Sequence, residues 1–248
     1  MTPLSILYQD EWLVAIDKPS GLLVHRSEID RHETQFAIQL LRDQIGRRVY
    51  PLHRLDKPTS GVLLFALDSD TAKTCGESWE SGVDKTYLAI VRGAPAEEGT
   101  IDKPLKEPWD RLGDRNVSKD KPEQPAVTDY RRLATCELPY AVDRYPTARY
   151  SLVRVHPQTG RRHQIRRHFK SLSHPLIGDT SYGKSVHNRF FAEQFGVQRL
   201  LLHAVEMRLP HPHSGEPLTI CAPLTGEVLQ LLESLDWLNS IPLEWRKF

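Results

Sequence analysis

The chain is poor in sulfur: its 248 residues hold 3 cysteines and 2 methionines. Cys75, Cys136 and Cys221 are odd in number and form neither a disulfide framework nor a CxxC pair, so reduced thiols in a reducing compartment are expected. No run approaches the ~18 apolar residues of a membrane span. The N-terminal "MTPLSILYQDEW" lacks the basic region and apolar core of a signal peptide, which makes the cytoplasm the expected location. GxSxG, P-loop and GxGxxG motifs are missing, which removes the common hydrolase, NTPase and dinucleotide readings. The 11 histidines form no HExxH or His/Cys cluster, so no metal and no cofactor are expected. Net charge is scarce as well, at +1, and alone argues weakly against a polyanionic partner.

The distribution of charge says more than its sum. Basic residues gather at Arg47-Arg48, at Arg131-Arg132 and above all across "RRHQIRRHFK" (161–170), while acids gather at Asp10-Glu11 and along the C-terminal segment. A one-sided basic surface on a neutral protein fits a nucleic-acid binder. With 39% hydrophobic and 26% charged residues and no low-complexity tract, the whole chain is expected to fold. The expected organisation is a single domain over 1–248 with a cleft.

Apolar spacing predicts two short strands in "SILYQDEWLVAIDKPSG", a helix over 33–46 capped by Gly46, and a buried strand "GVLLFAL" at 61–67. A helix over 69–81 with Ser69 as N-cap and a strand over 85–93 follow. Residues 94–125 are rich in Pro, Gly and charge and read as a surface excursion with at most one short strand. Strands are expected at 126–136 and 150–157, a helix at 161–173, a hairpin around "PHSGE" and a closing helix at 225–238. Hairpins interspersed with helices define an α+β fold with a mixed, largely antiparallel sheet.

Three features could carry chemistry. In "HRLDKPTSG" (53–61), Asp56 stands between Arg54 and Lys57. An isolated Asp-Lys-Pro is first of all good turn chemistry, but flanking cations favour a charged carboxylate suited to act as nucleophile or base. On the helix at 161–173, Ile165, Phe169 and Leu172 make a core stripe, while Arg162 and Arg166, and His163 and Arg167, stand four apart. Like charges at that spacing repel, so an anion, either phosphate or a buried carboxylate, is expected to receive them. Tyr87 alternates with Ala89 and Val91, which by itself describes an ordinary half-buried strand tyrosine.

Taken together, "DKPSG" (17–21), "HRLDKPTSG", "KTYLAIVRG" (85–93), "TGRRHQIRRH" (159–168), "HPLIGDTSYG" (174–183) and "LLHA" (201–204) resemble, in this order, the RluA family of pseudouridine synthases. The connecting stretches "PAVTDYRRLAT", "RYPTARYSLV" and "FAEQFGVQRLLLHA" are similar to a tRNA-modifying branch of that family. The resemblance implies isomerisation of a tRNA uridine, uridine 65 in the T stem next to the acceptor stem, with tRNA as partner. It also implies the pseudouridine synthase fold, a mixed, largely antiparallel central sheet in two subdomains flanking a catalytic cleft, without an N-terminal S4-like domain, since the first motif begins at residue 17.

By the same resemblance Asp56 is the catalytic carboxylate, Arg166 its partner, and Tyr87 the tyrosine that stacks on the target uracil. Arg54 fills the space left by the flipped uridine, and Ile165 and Leu202 line the apolar side of the base pocket. Arg131, Arg132, Arg161, Arg162 and Arg167 are expected at RNA phosphates, where they would offset the few kcal/mol of base extrusion. Attack at the sugar carbon, a glycal route and attack on C6 of the base all remain open. Other targets, in rRNA or elsewhere in tRNA, and a non-catalytic RNA-binding or chaperone role are the alternatives. A glycosidase would generally need a second placed carboxylate.

Overall fold

The computed structural model describes residues 3–26, 33–107 and 122–247. In chain order the elements are β1 (Ser5–Gln9), β2 (Leu13–Lys18), α1 (Ala37–Ile45), β3 (Tyr50–Pro51), β4 (Ser60–Ala66), α2 (Ser69–Gly82), β5 (Asp84–Arg92) and β6 (Glu98–Asp102). They continue as β7 (Val127–Leu138), β8 (Ala148–Pro157), α3 (Gln164–Ser171), α4 (Ser185–Phe195), β9 (Leu202–Pro210), β10 (Pro217–Cys221) and α5 (Gly226–Ser234). Two compact units result, each drawn from three stretches of chain: Met1–Lys85, Pro104–Gln124 and Glu206–Ala222 in the first, and Thr86–Lys103, Pro125–Val205 and Pro223–Phe248 in the second.

In the first unit, β2 pairs antiparallel with β1 on one side and with β4 on the other, from Leu13↔Ala66 to Lys18↔Gly61. Both inner strands are apolar at consecutive positions and solvent reaches none of Leu13 to Ile16 or Val62 to Ala66, as expected for strands covered on both faces. Leu13, Ala15, Val62 and Leu64 form one core with Met207, Leu209 and Ile220 of the β9–β10 hairpin and Cys75 of α2. The β1–β2 turn is closed by the Asp10 carboxylate, which accepts the Trp12 and Leu13 amides at 2.8 and 2.7 Å and His211 Nε2–H at 2.8 Å. Gly46 ends α1 in the left-handed region, as its sequence position predicts. The N-cap of α2 is Asp68, not Ser69: the Asp68 carboxylate accepts the Thr71 amide at 2.8 Å.

In the second unit the strands run β5-β8-β7-β6, each pair antiparallel. Register fixes the two faces. One carries Tyr87, Val155 and Tyr130 in a row across three strands, with Gly99 next to Tyr130; the other carries Leu88, Arg154 and Arg131. The first face is covered by α3, through Phe169 packed edge-on against Tyr130 at 5.3 Å and Gln164 and His168 hydrogen-bonded to Thr128. The second face receives α4, whose Phe191 packs edge-on against Tyr150. Leu224, Val228 and Leu232 of the C-terminal segment line an apolar depression there with Leu88, Ile90, Leu152 and Leu202.

Several expected boundaries change. The helix predicted over 161–173 spans only Gln164–Ser171, because His163 sits in the left-handed region at φ 56, and Leu172 is exposed instead of completing the core stripe. The closing helix ends at Ser234, with Asp236 at φ 57 before a single 3-10 turn at Leu238–Ser240. Helix α4 was not anticipated. Of the excursion at 94–125, β6 and a bridge between Leu105 and Gln124 are seen, and 108–121 lie outside the described residues. Among the described residues no helix is long and apolar enough to cross a membrane.

Candidate active site

The candidate residues divide between the units: Arg54 and Asp56 belong to the first, the others to the second. Asp56 lies half-buried in the loop between β3 and β4. Its carbonyl accepts the Thr59 amide at 3.0 Å, so Lys57-Pro58 forms the tight turn that the sequence suggested.

That turn is held by the first motif. Lys18 is completely buried, and its ammonium donates to the carbonyls of Pro19 (2.8 Å), Leu22 (2.8 Å) and Lys57 (3.1 Å). Ser20 Oγ donates to the Pro58 carbonyl at 2.7 Å, and the Gly21 amide to Lys57 at 2.9 Å. Gly21 has φ +87, a conformation that side chains other than hydrogen disfavour. "DKPSG" and "HRLDKPTSG" are therefore one hydrogen-bonded assembly around the residue after Asp56. Lys57 itself pairs with Glu33 at 2.8 Å.

His53 fixes the other end of the loop. Its Nε2 accepts the Leu64 amide at 3.0 Å, and its ring stacks on Trp79 with centroids 5.3 Å apart. Burial, then the Lys85 charge, push its pKa down to about 3, so the ring is neutral and acts as an acceptor. Arg54 is exposed, and desolvation together with the Arg54 charge lowers the pKa of His25.

In the second unit, Tyr87 is buried on the face covered by α3. Arg166 is 4% exposed, and its guanidinium grips Asp179 with two hydrogen bonds, Nε to Oδ2 at 2.7 Å and Nη2 to Oδ1 at 3.0 Å. The expected acceptor for α3 is thus in part a buried carboxylate. Asp179 also accepts the Ser181 and Tyr182 amides, both at 2.9 Å. Burial alone would raise its pKa; the Arg166 hydrogen bond, the Tyr182 amide, the Arg166 charge and the Ser181 amide outweigh it and hold the carboxyl below its usual range.

The loop that presents Asp179 is tightly built. Gly178 has φ +77, and a Cβ there would sit 1.8 Å from the Arg199 carbonyl oxygen. The Arg166 guanidinium also lies over the Tyr182 ring at 5.1 Å, and Tyr182 OH meets His163 Nδ1 at 2.9 Å. Gln164 anchors the start of α3: its Oε1 accepts Thr159 Oγ1 and the Arg161 amide, and its Nε2 donates to Val127 and Thr128.

The other candidates are scattered more widely. Ile165 and Leu202 are both buried, but Leu202 lines the apolar depression and Ile165 does not. Arg161 Nε donates to the Pro125 carbonyl at 3.1 Å, Arg162 is half-buried with its Nε lacking an acceptor, and Arg167 is half-buried on α3. Arg131 and Arg132, adjacent in sequence, project to opposite faces of the sheet. Sequence reading missed Lys18, His53, Gln164 and Asp179 as individual residues, although all lie within its quoted motifs. Among the described residues, no group of three or more His, Cys, Asp or Glu could hold a metal.

The RNA pseudouridylate synthase family model matches residues 12–171, and the chain belongs to that family. Proteins named tRNA pseudouridine synthase C are similar over 94–97% of this chain. That of Pasteurella multocida (strain Pm70) is 55% identical, covering 96% of this chain and 99% of the relative. That of Vibrio cholerae serotype O1 is 52% identical, covering 96% and 98%. Among solved structures, Human RNA Pseudouridylate Synthase Domain Containing 4 superposes with a TM-score of 0.70 at 27% identity, over 94% of this chain and 93% of that one.

Proposed function

We propose that this pseudouridine synthase acts on tRNA, at uridine 65 of the T stem next to the acceptor stem, with Asp56 as the catalytic carboxylate. The observation that carries the substrate is the 55% identity to a tRNA pseudouridine synthase C across 96% of this chain, which includes the segments between the motifs. The reaction breaks the N1–C1′ bond, turns the uracil within the pocket and joins C5 to C1′. N1 gains a proton and C5 loses one, so there is no net acid, base or redox change and one carboxylate suffices.

The target base must leave its helical stack, because a stacked base can be neither reached nor rotated. Arg54, exposed two residues before Asp56, fills the vacated space. Tyr87 stacks on the uracil and assists loss of the C5 proton, Arg166 balances the carboxylate, and Ile165 and Leu202 supply apolar contacts to the base. Arg131, Arg132, Arg161, Arg162 and Arg167 contact phosphates, which makes binding salt-dependent. No cofactor or metal and no obligatory protein partner is needed, and the enzyme acts in the cytoplasm as one functional domain.

The test is pseudouridine mapping after the purified protein is incubated with unmodified tRNA and, in parallel, rRNA. A new pseudouridine confined to the acceptor-proximal T-stem position is expected. Modification only in rRNA or elsewhere in tRNA would overturn the substrate assignment.

A further inference from the structure

We propose that Arg131 and Arg154 form a clamp for one RNA backbone phosphate on the face of the second unit's sheet opposite to Tyr87. This rests on the reading that the partner is tRNA. In the β7–β8 register Arg131 stands directly across from Arg154, while Tyr87 pairs with Val155, the next residue along β8, and therefore projects from the other face. Directly opposed side chains have Cβ atoms about 4.5–5.5 Å apart, and like charges so placed destabilise a sheet.

Nothing among the described residues relieves that repulsion. Among the described residues neither arginine side chain makes a hydrogen bond or an ion pair, and Arg154 Nε is shielded from solvent without an acceptor. Arg154 is nevertheless only half-buried as a residue, and a phosphate oxygen held between the two guanidinium groups offsets their repulsion. The nearby acids do not take the role. Asp129, across from His156, receives Thr100 Oγ1 and Gln158 Nε2. Glu98 faces Arg131 from β6 without reaching it as an ion pair, and one carboxylate would still leave an unmatched guanidinium.

Two features make the site reachable. Arg131 is exposed and lies one strand from β6, the last strand of this sheet among the described residues. A register shift follows immediately, between Arg132 and Ala134, and such irregularities re-aim the side chains beside them. Arg132 is left on the Tyr87 face and Arg131 on the clamp face.

The test is tRNA affinity as a function of salt for wild type, Arg131→Gln, Arg154→Gln and the double variant, with the pseudouridine rate at saturating tRNA read alongside. Each single variant is expected to weaken binding roughly tenfold and to lower the salt slope by about one. The double variant is expected within about twofold of either single, since both arginines serve one phosphate. Arg154→Gln should melt no lower than wild type because it removes a like-charge contact. Should the glutamine variants misfold, Arg154→Lys keeps the charge and is expected to retain most of the affinity.

An unchanged slope, or fully additive single effects, would overturn the clamp. So would stabilisation of wild type but not Arg154→Gln by inorganic phosphate combined with unaltered tRNA binding, which would mark a site for free phosphate. The two readings fail separately. Loss of all pseudouridine formation with the salt response intact sinks the enzymatic assignment alone, and normal modification with an unmoved salt response sinks the clamp alone.

Discussion

Replacing Asp179 by alanine removes two hydrogen bonds to Arg166, at 2.7 and 3.0 Å, together with the acceptor of the Ser181 and Tyr182 amides. The guanidinium stays behind at 4% exposure. Removing one member of a buried pair costs about 3–5 kcal/mol, chiefly because the remaining charge stays desolvated after losing that partner. At about 2–4 °C per kcal/mol for a chain of this size, the melting temperature should fall by roughly 6–20 °C. The assay is calorimetric or circular-dichroism melting of wild type, Asp179→Ala, Arg166→Ala and the double variant. Because both single variants lose the same Arg166–Asp179 interaction, the double variant should be more stable than the sum of the single losses by about 1–3 kcal/mol. A loss below about 1 kcal/mol for Asp179→Ala, with an additive cycle, would refute the view that this carboxylate is what makes a buried Arg166 tolerable.

His53 predicts an acid limb in stability. The native ring stays neutral down to about 3 whereas the unfolded ring takes up a proton near the ordinary 6.5, so its contribution is complete above that value and declines as pH falls between the two. Urea titrations from pH 7 to 4.5 should show a steeper decline for wild type than for His53→Gln, and parallel curves would contradict this. Lys18→Met strips three carbonyls of their buried donor, and single-turnover pseudouridine formation should fall far more than tRNA affinity. Equal losses in both would show that the ammonium supports folding generally, not the Asp56 turn. Gly178→Ala brings a Cβ to 1.8 Å from the Arg199 carbonyl oxygen at φ +77 and should lower stability by at least about 2 kcal/mol, measured by chemical denaturation; a smaller loss would mean the loop yields easily.

The strands and the early helices were legible because their signals are local. Leu13 to Ile16 and Val62 to Ala66 are apolar at consecutive positions, which suits strands buried on both faces, and Gly46 marks the end of α1 by its left-handed conformation. Helix α4 escaped because adjacent Phe190 and Phe191 fit neither period clearly, and its buried positions include His187, which reads as polar; the Gly196 cap was the available signal. The start of α3 was misplaced for a physical reason. Charge and periodicity run on through Arg161 and Arg162, but His163 in the left-handed region and the Gln164 side chain, bound to Thr159 and the Arg161 amide, set the boundary.

Site residues were legible as types and positions, less so as partnerships. The repulsion between the α3 arginines correctly called for an anion, but spacing along a helix cannot select Asp179, 13 residues beyond Arg166, over any other acid. Lys18 shows the same limit. It lies 39 residues from Lys57, and only the fold reveals that a residue of such solvated habit is buried to hold the Asp56 turn.

The most direct test of the central claim is release of the C5 hydrogen. Forming the C5–C1′ bond expels it, so tRNA carrying tritium at uridine C5 reports each turnover as tritiated water. Wild type is expected to release more than one equivalent per protein without added metal or cofactor, while Asp56→Asn binds the tRNA with similar affinity and releases none. Release by Asp56→Asn at a rate near that of wild type would contradict the account, because the reaction would then proceed without the carboxylate on which it rests.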